Sequence, residues 1–388
     1  MSASSLASDA ARQHLRLHLV EGLGPILTAR LIEHFKDIDA VLAAAPAQLK
    51  YVEGIGEIRA GRIGWAPADA VERELELAAA GGVRILCIAD DEYPKSLLAT
   101  PDPPVCLYVR GAFEPEDALA LAIVGTRRCS TYGREQAERL GAQAGEVGFT
   151  VVSGMAVGID TAAHRGALLA KGRTIAALGC GLGHVYPRRN EELAELIARN
   201  GAVISEYPMQ VVPIDQNFPR RNRILAGLSL GVIVVEASDR SGALITARMA
   251  SEYNREVFAV PGRIDTAYAR GCHRLIRDGA AMLVTDLQDV LDALGDVGRA
   301  LALPTVPGET NVDDSPNPNQ AVPQPSAPLE NHERRLLDAM PNEPVSIEGL
   351  TDRCAFGPAR VAATLTSLQL KGCVRRQPGD FYVRVRAE

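Results

Sequence analysis

The residues best suited to chemistry gather in short turns behind apolar runs. Gly125-Thr126-Arg127-Arg128 follows one run, Ser153-Gly154-Met155-Ala156-Val157-Gly158-Ile159-Asp160 a second, and Gly179-Cys180-Gly181-Leu182-Gly183 a third. Glycine lets a backbone approach a ligand closely, and free N–H groups at a helix start favour an anion, so these turns suggest a phosphate. A fourth segment, Asn217-Phe218-Pro219-Arg220-Arg221-Asn222-Arg223, sets three arginines and an aromatic within seven residues. Guanidinium forks suit phosphate, and an aromatic ring offers a base a stacking surface. A solvated helix start with Phe218 in the core would account for the same residues, and the sequence leaves both readings open. Ser241 and Thr246 pose the same choice, as donors to a phosphate or as caps of the helix they precede.

Other chemistries find no anchor. None of the glycine turns is G-x-G-x-x-G, and G-x-x-x-x-G-K-[ST] occurs nowhere, so no nucleotide cofactor is expected. Asp160 and His164 lie four apart on one helical face, where a helix cap and a hydrogen-bonded histidine are the better reading than a metal pair. H-E-x-x-H is absent and Ser153 lacks the first glycine of G-x-S-x-G, so neither catalytic residues nor metal ligands are expected, and the chain does not read as an enzyme.

Such turns need strands that end together. Apolar runs at residues 119–124, 149–152, 174–178, 202–204, 231–235, 257–260 and 281–284 alternate with amphipathic stretches. That is the pattern of parallel strands buried by helices on both faces. The expectation is an α/β fold with an extended, Rossmann-like, doubly wound parallel sheet, in which ligands bind beyond the carboxyl ends of the strands. Residues 83–89 and 105–109 are candidates to extend it. Upstream, Val20-Glu21-Gly22-Leu23-Gly24 recurs as Val52-Glu53-Gly54-Ile55-Gly56, which suggests paired helical hairpins. Their glycines either hold a phosphate or merely close packed corners, and Glu21 and Glu53 weigh against phosphate. Downstream, a Pro-rich linker at 303–328 leads to a unit at 329–388 with three helices and a hairpin, the winged-helix order. The expected domains are therefore a helical one at 1–80, the sheet domain at 81–302, the linker, and the winged helix.

The totals narrow the partners. A net charge of −7 disfavours a protein that coats nucleic acid through bulk positive charge. Residues 217–273 nevertheless hold eight Arg against five acidic side chains, a local positive stripe. Seven cysteines without a C-x-x-C pair fit a reducing cytoplasm. No apolar run approaches the roughly 18 residues of a membrane helix, and the first sixteen residues lack the apolar core of a secretory signal.

Five blocks, in order, are specific in combination: Ile123-Val124-Gly125-Thr126-Arg127, residues 152–160, Phe218-Pro219-Arg220-Arg221-Asn222-Arg223-Ile224, Ser241-Gly242-Ala243-Leu244-Ile245-Thr246-Ala247 and Val260-Pro261-Gly262. Together they closely resemble the DNA-processing protein A family, also called Smf. The resemblance implies a helical N-terminal domain of the sterile-alpha-motif or helix-hairpin-helix type and a C-terminal winged helix. It implies a cytoplasmic homodimer that binds and protects single-stranded DNA and loads the RecA recombinase during natural transformation. Carried over, the DNA site is Gly125, Thr126, Arg127, Ser153, Gly154, Met155, Phe218, Arg220, Arg221, Asn222 and Arg223. His273 departs from the family's usual Asn. The alternative is a Rossmann-like nucleotide-binding hydrolase related to the phosphoribohydrolases; their P-G-G-x-G-T-x-x-E pattern is met only by Val260-Pro261-Gly262-Arg263, which lacks the later glycines and the glutamate.

Overall fold

The computed structural model describes residues 7–64, 68–295, 330–341, 345–354, 356–371, 373–377 and 381–384. The expected linker at 303–328 lies outside them. The described chain divides into two units, Met1–Thr285 and Asp286–Glu388.

In the first unit the apolar runs become strands of one nine-stranded sheet: β1 (Arg84–Cys87), β2 (Cys106–Gly111), β3 (Ala120–Val124), β4 (Thr150–Ser153), β5 (Thr174–Leu178), β6 (Gly201–Ser205), β7 (Gly231–Val234), β8 (Glu256–Ala259) and β9 (Met282–Leu283). Their order is β1-β2-β6-β5-β4-β3-β7-β8-β9. Every residue of β3 through β7 is buried, as continuous apolar runs covered on both faces require. Pairing from β6 to β9 is parallel. The two upstream runs do extend the sheet, but antiparallel: β1 pairs with β2 and β2 with β6. An antiparallel strand needs no helical crossover, and one at the edge of a parallel sheet is common. At the opposite edge the run expected to be buried is only Met282 and Leu283, both exposed.

The chain leaves β3 toward β4 on one side and toward β7 on the other, so the strand order reverses at β3. The turns after β3 and β4 lead into helices Thr131–Glu146 and Ile159–Leu169. These helices pack backbone to backbone: a side chain at Gly141 would strike the Ala163 carbonyl, and one at Gly166 the Glu138 carbonyl. Their spacing therefore sets the spacing of the two turns.

Helices Asp9–His18 and Ala68–Ala80 send Ala11, Leu15, Val71, Leu75 and Ala78 into a core shared with β1, β2 and β5. The segment between them, with helices Pro25–Phe35 and Glu57–Gly64, has a core of its own around Leu31, Val41, Leu49 and Ile63. The repeated Gly22 and Gly54 take φ +81° and +90°, open to glycine at little cost. Arg59 ties the two turns by donating to both carbonyls at 3.0 Å. The ion pairs cross between repeats, Arg62 to Glu21 at 3.0 Å and Arg30 to Glu53 at 3.4 Å, so each glutamate faces the arginine of the other repeat.

In the second unit helices Asn331–Ala339, Ile347–Arg353 and Pro358–Leu370 precede an antiparallel hairpin of β10 (Val374–Gln377) and β11 (Phe381–Arg384). Leu336, Leu350, Val361, Leu365 and Tyr382 form its core, giving a winged helix.

The glycine contacts make a stability prediction. Gly166→Ala forces the two helices apart and should destabilise the protein by about 1–3 kcal/mol. Gly61→Ala meets nothing within 4 Å and, as a helix position, should be neutral or stabilising by up to about 1 kcal/mol. Urea unfolding of the two variants against the parent reads the contrast.

Candidate functional site

A cavity of about 500 Å³ opens beyond the carboxyl ends of β3, β4 and β7, where the strand order reverses. Such a crevice is the usual ligand position of an open α/β sheet. Thr126, Arg127 and Arg128 come from the turn after β3, and Ser238, Arg240, Ser241 and Gly242 from the turn after β7. Helix Asn217–Leu228 contributes Phe218, Arg221 and Asn222, and Asp160 reaches in from the start of helix Ile159–Leu169.

The turns are bound to one another. Thr126 N–H donates to the Glu236 carbonyl at 2.8 Å, and the Glu236 carboxylate accepts from Ser130 N at 2.9 Å and Ser130 Oγ at 2.5 Å. Glu236 thus fastens the turn after β3 to the end of β7. Asn222 Nδ2 donates to the Gly242 carbonyl at 3.2 Å and holds the turn after β7 to the arginine-rich helix.

The floor is a buried guanidinium. Arg221 Nη1 donates to the Gly154 carbonyl at 2.7 Å and to that of Ala177, so the C-terminal ends of β4 and β5 solvate its charge. Gly154 is obligatory for this: a Cβ there would lie 2.5 Å from Arg221 Nη2 and 2.6 Å from Asp160 Oδ2. Burial pushes the Asp160 carboxyl up to about 6, with Arg221 opposing the shift. Burial likewise draws Arg221 below the ordinary guanidinium range while Asp160 opposes that. His164 is buried, its Nδ1 at 2.7 Å from the Thr174 hydroxyl, which donates to the Val151 carbonyl, so it serves packing beneath the site.

The sequence-derived residues divide into three groups. Gly125, Thr126, Arg127, Phe218, Arg221 and Asn222 line the cavity. Arg220 is exposed beside it. Ser153, Gly154, Met155 and Arg223 do not line it. Ser153 Oγ donates to the Ile123 carbonyl at 2.6 Å, Gly154 holds Arg221, and Met155 is core. Arg223 Nη2 pairs with Glu206 and its Nε with Asp102 at 3.4 Å, a buried ion pair turned inward. Phe218 is half-buried, with the Arg127 guanidinium 4.9 Å over its ring centroid. Arg128 and Asp160, which belong to the strand-end turns, also line the cavity, as do Asp215, Arg240 and Tyr268, which lie outside the five blocks. Arg240 sits in a strand-end turn that sequence pattern could flag; nothing local marks Tyr268. His273 Nε2 lies 2.9 Å from the Gly262 carbonyl, joining helix Arg270–Arg277 to the turn after β8.

Comparison with known proteins places this architecture. Residues 84–295 match the family described as DNA recombination-mediator protein A. The chain belongs to that family. Residues 320–380 match the DprA winged helix domain. The chain is 35% identical to protein Smf of Synechocystis over 94% of its length and 96% of the relative's. It is 47% identical to the DNA processing protein DprA of Streptococcus pneumoniae over 53% of this chain and 72% of that one. The X-ray structure of the S. pneumoniae DprA superposes with a TM-score of 0.65 at 36% identity, covering 72% of this chain and 97% of that chain. A Helicobacter pylori member, solved for its single-stranded DNA binding mode, superposes with a TM-score of 0.50 at 32% identity, covering 55% and 95%.

The inward ion pair of this DprA-family chain carries a prediction about folding. Arg223→Ala leaves Glu206 buried without its partner and should cost about 3–5 kcal/mol. Burial already holds the Glu206 carboxyl above its ordinary range, with Arg223 as the largest opposing influence. Without Arg223 the folded carboxyl resists ionisation further while the unfolded one ionises normally, so stability falls as pH rises through that window. The deficit should be larger at pH 8 than at pH 5 in denaturant titrations.

Proposed function

We propose that this chain binds single-stranded DNA in the cavity beyond β3, β4 and β7, and presents the strand to RecA during natural transformation. The observation that carries the reading is the cavity's charge. Arg127, Arg128 and Arg240 are exposed around it, and among the described residues none of the three pairs with a carboxylate. Guanidinium groups held in no ion pair beside backbone N–H turns suit phosphates. Membership of a family with a single-strand-binding relative supports the same ligand.

The protein acts as a homodimer in the cytoplasm on this reading. The exposed Met282 and Leu283 of β9 support a contact through the α/β unit, because an apolar edge strand is left unpaired there. No helix among the described residues is long and apolar enough to cross a membrane. The winged helix is an auxiliary contact, since residues 329–388 carry nine basic against eight acidic side chains.

Single strands should bind more tightly than duplexes of equal length, and Arg127→Ala should lower the slope of log affinity against log salt by about 0.7. The same variant should slow RecA assembly on single strands precoated with a single-strand-binding protein. An unchanged affinity and slope in Arg127→Ala would refute the cavity as the DNA site. A chain ending at Leu303 should keep most single-strand affinity in the same titration; loss of nearly all of it would make the winged helix the main site.

A further inference from the structure

We infer that the single strand continues past the cavity over the loop that follows β5, with Tyr186 stacking a base and Arg188 and Arg189 holding the next phosphates. This rests on the cavity reading above and extends it to residues that lie outside the cavity lining. Tyr186 is 44% exposed and its ring centroid lies 5.5 Å from that of Phe218 at an interplanar angle of 39°. Phe218 itself has little free face. Arg127 lies over its ring, and a side chain at Gly179 would sit 2.8 Å from its Cδ1. Phe218 therefore backs Tyr186, and Tyr186 carries the outward ring surface at the cavity's rim.

Charge follows the ring. Arg188 and Arg189, two and three residues on, are exposed, and among the described residues neither forms an ion pair. Consecutive Cα atoms lie at most about 3.8 Å apart, so both arginines fall within a nucleotide or two of a base stacked on Tyr186. The loop is anchored from beneath. Asn190 Nδ2 donates to the Met155 carbonyl and to Thr161 Oγ1, each at 2.9 Å, which fixes the arginines to the turn after β4. An exposed aromatic beside unpaired arginines on an anchored loop is what a sequence-tolerant single-strand track requires.

The test is photocrosslinking of the full chain to a 5-iodouracil-substituted single strand, with mass-spectrometric mapping, alongside binding by Tyr186→Ala, Tyr186→Phe and an Arg188→Ala/Arg189→Ala double variant. A crosslink on Tyr186 is expected. Tyr186→Ala should weaken binding about 5- to 150-fold with the salt slope unchanged, and Tyr186→Phe should restore it. The double arginine variant should lower the slope by up to about 1.4. Because all three side chains are exposed, the variants should melt like the parent. If Arg127→Ala weakens binding but these variants do not and no crosslink reaches Tyr186, the track is refuted while the cavity stands. If the parent fails to bind single strands at all, both fall together.

Discussion

A buried guanidinium holds this site together. Taking the Arg221 charge out of water is costly unless hydrogen bonds replace its hydration. Here the carbonyls of Gly154 and Ala177, at the ends of two adjacent parallel strands, supply them. Much of the local architecture follows from that one requirement. The strand ends converge on helix Asn217–Leu228, residue 154 has room for no side chain, and Asp160 stays buried beside the cation with its proton affinity raised.

The arginines of the molecule fall into two populations that explain how an acidic chain keeps a cationic site. Arg173, Arg221 and Arg223 spend their charge internally; Arg173 is held by both Asp117 oxygens at 2.8 Å and by the Ala112 carbonyl. Arg127, Arg128 and Arg240 stand at the cavity without carboxylate partners among the described residues. A net charge of −7 therefore says little about this surface, because positive potential depends on which cations remain unpaired and where they stand. Attraction confined to a few guanidinium groups should be strongly screened by salt.

Rigidity comes from close backbone packing and from one carboxylate. The glycine contacts between helices Thr131–Glu146 and Ile159–Leu169 leave no slack between the turns after β3 and β4. Glu236 closes the third side by gripping Ser130, the cap of the first of these helices. A site whose turns are fixed to one another loses little conformational entropy when an anion arrives.

Local pattern determined the strands, the three strand-end turns, the winged-helix order and the family, because apolar runs and glycine spacing are properties of neighbouring residues. It also brought Gly125, Thr126, Arg127, Phe218, Arg221 and Asn222 to one place, since strand ends and a helix start must meet at the reversal of strand order. Tertiary structure alone decided what the three arginines of Phe218-Pro219-Arg220-Arg221-Asn222-Arg223 do. Successive positions on a helix point in different directions, so one faces water, one solvates strand ends and one meets Glu206 from a distant loop. The antiparallel pairing of β1 and β2, the Tyr186–Phe218 contact and the fastening by Glu236 likewise join residues far apart in the chain. Spacing along a sequence fixes which face a residue occupies within its own element; which element it meets depends on how the sheet is wound.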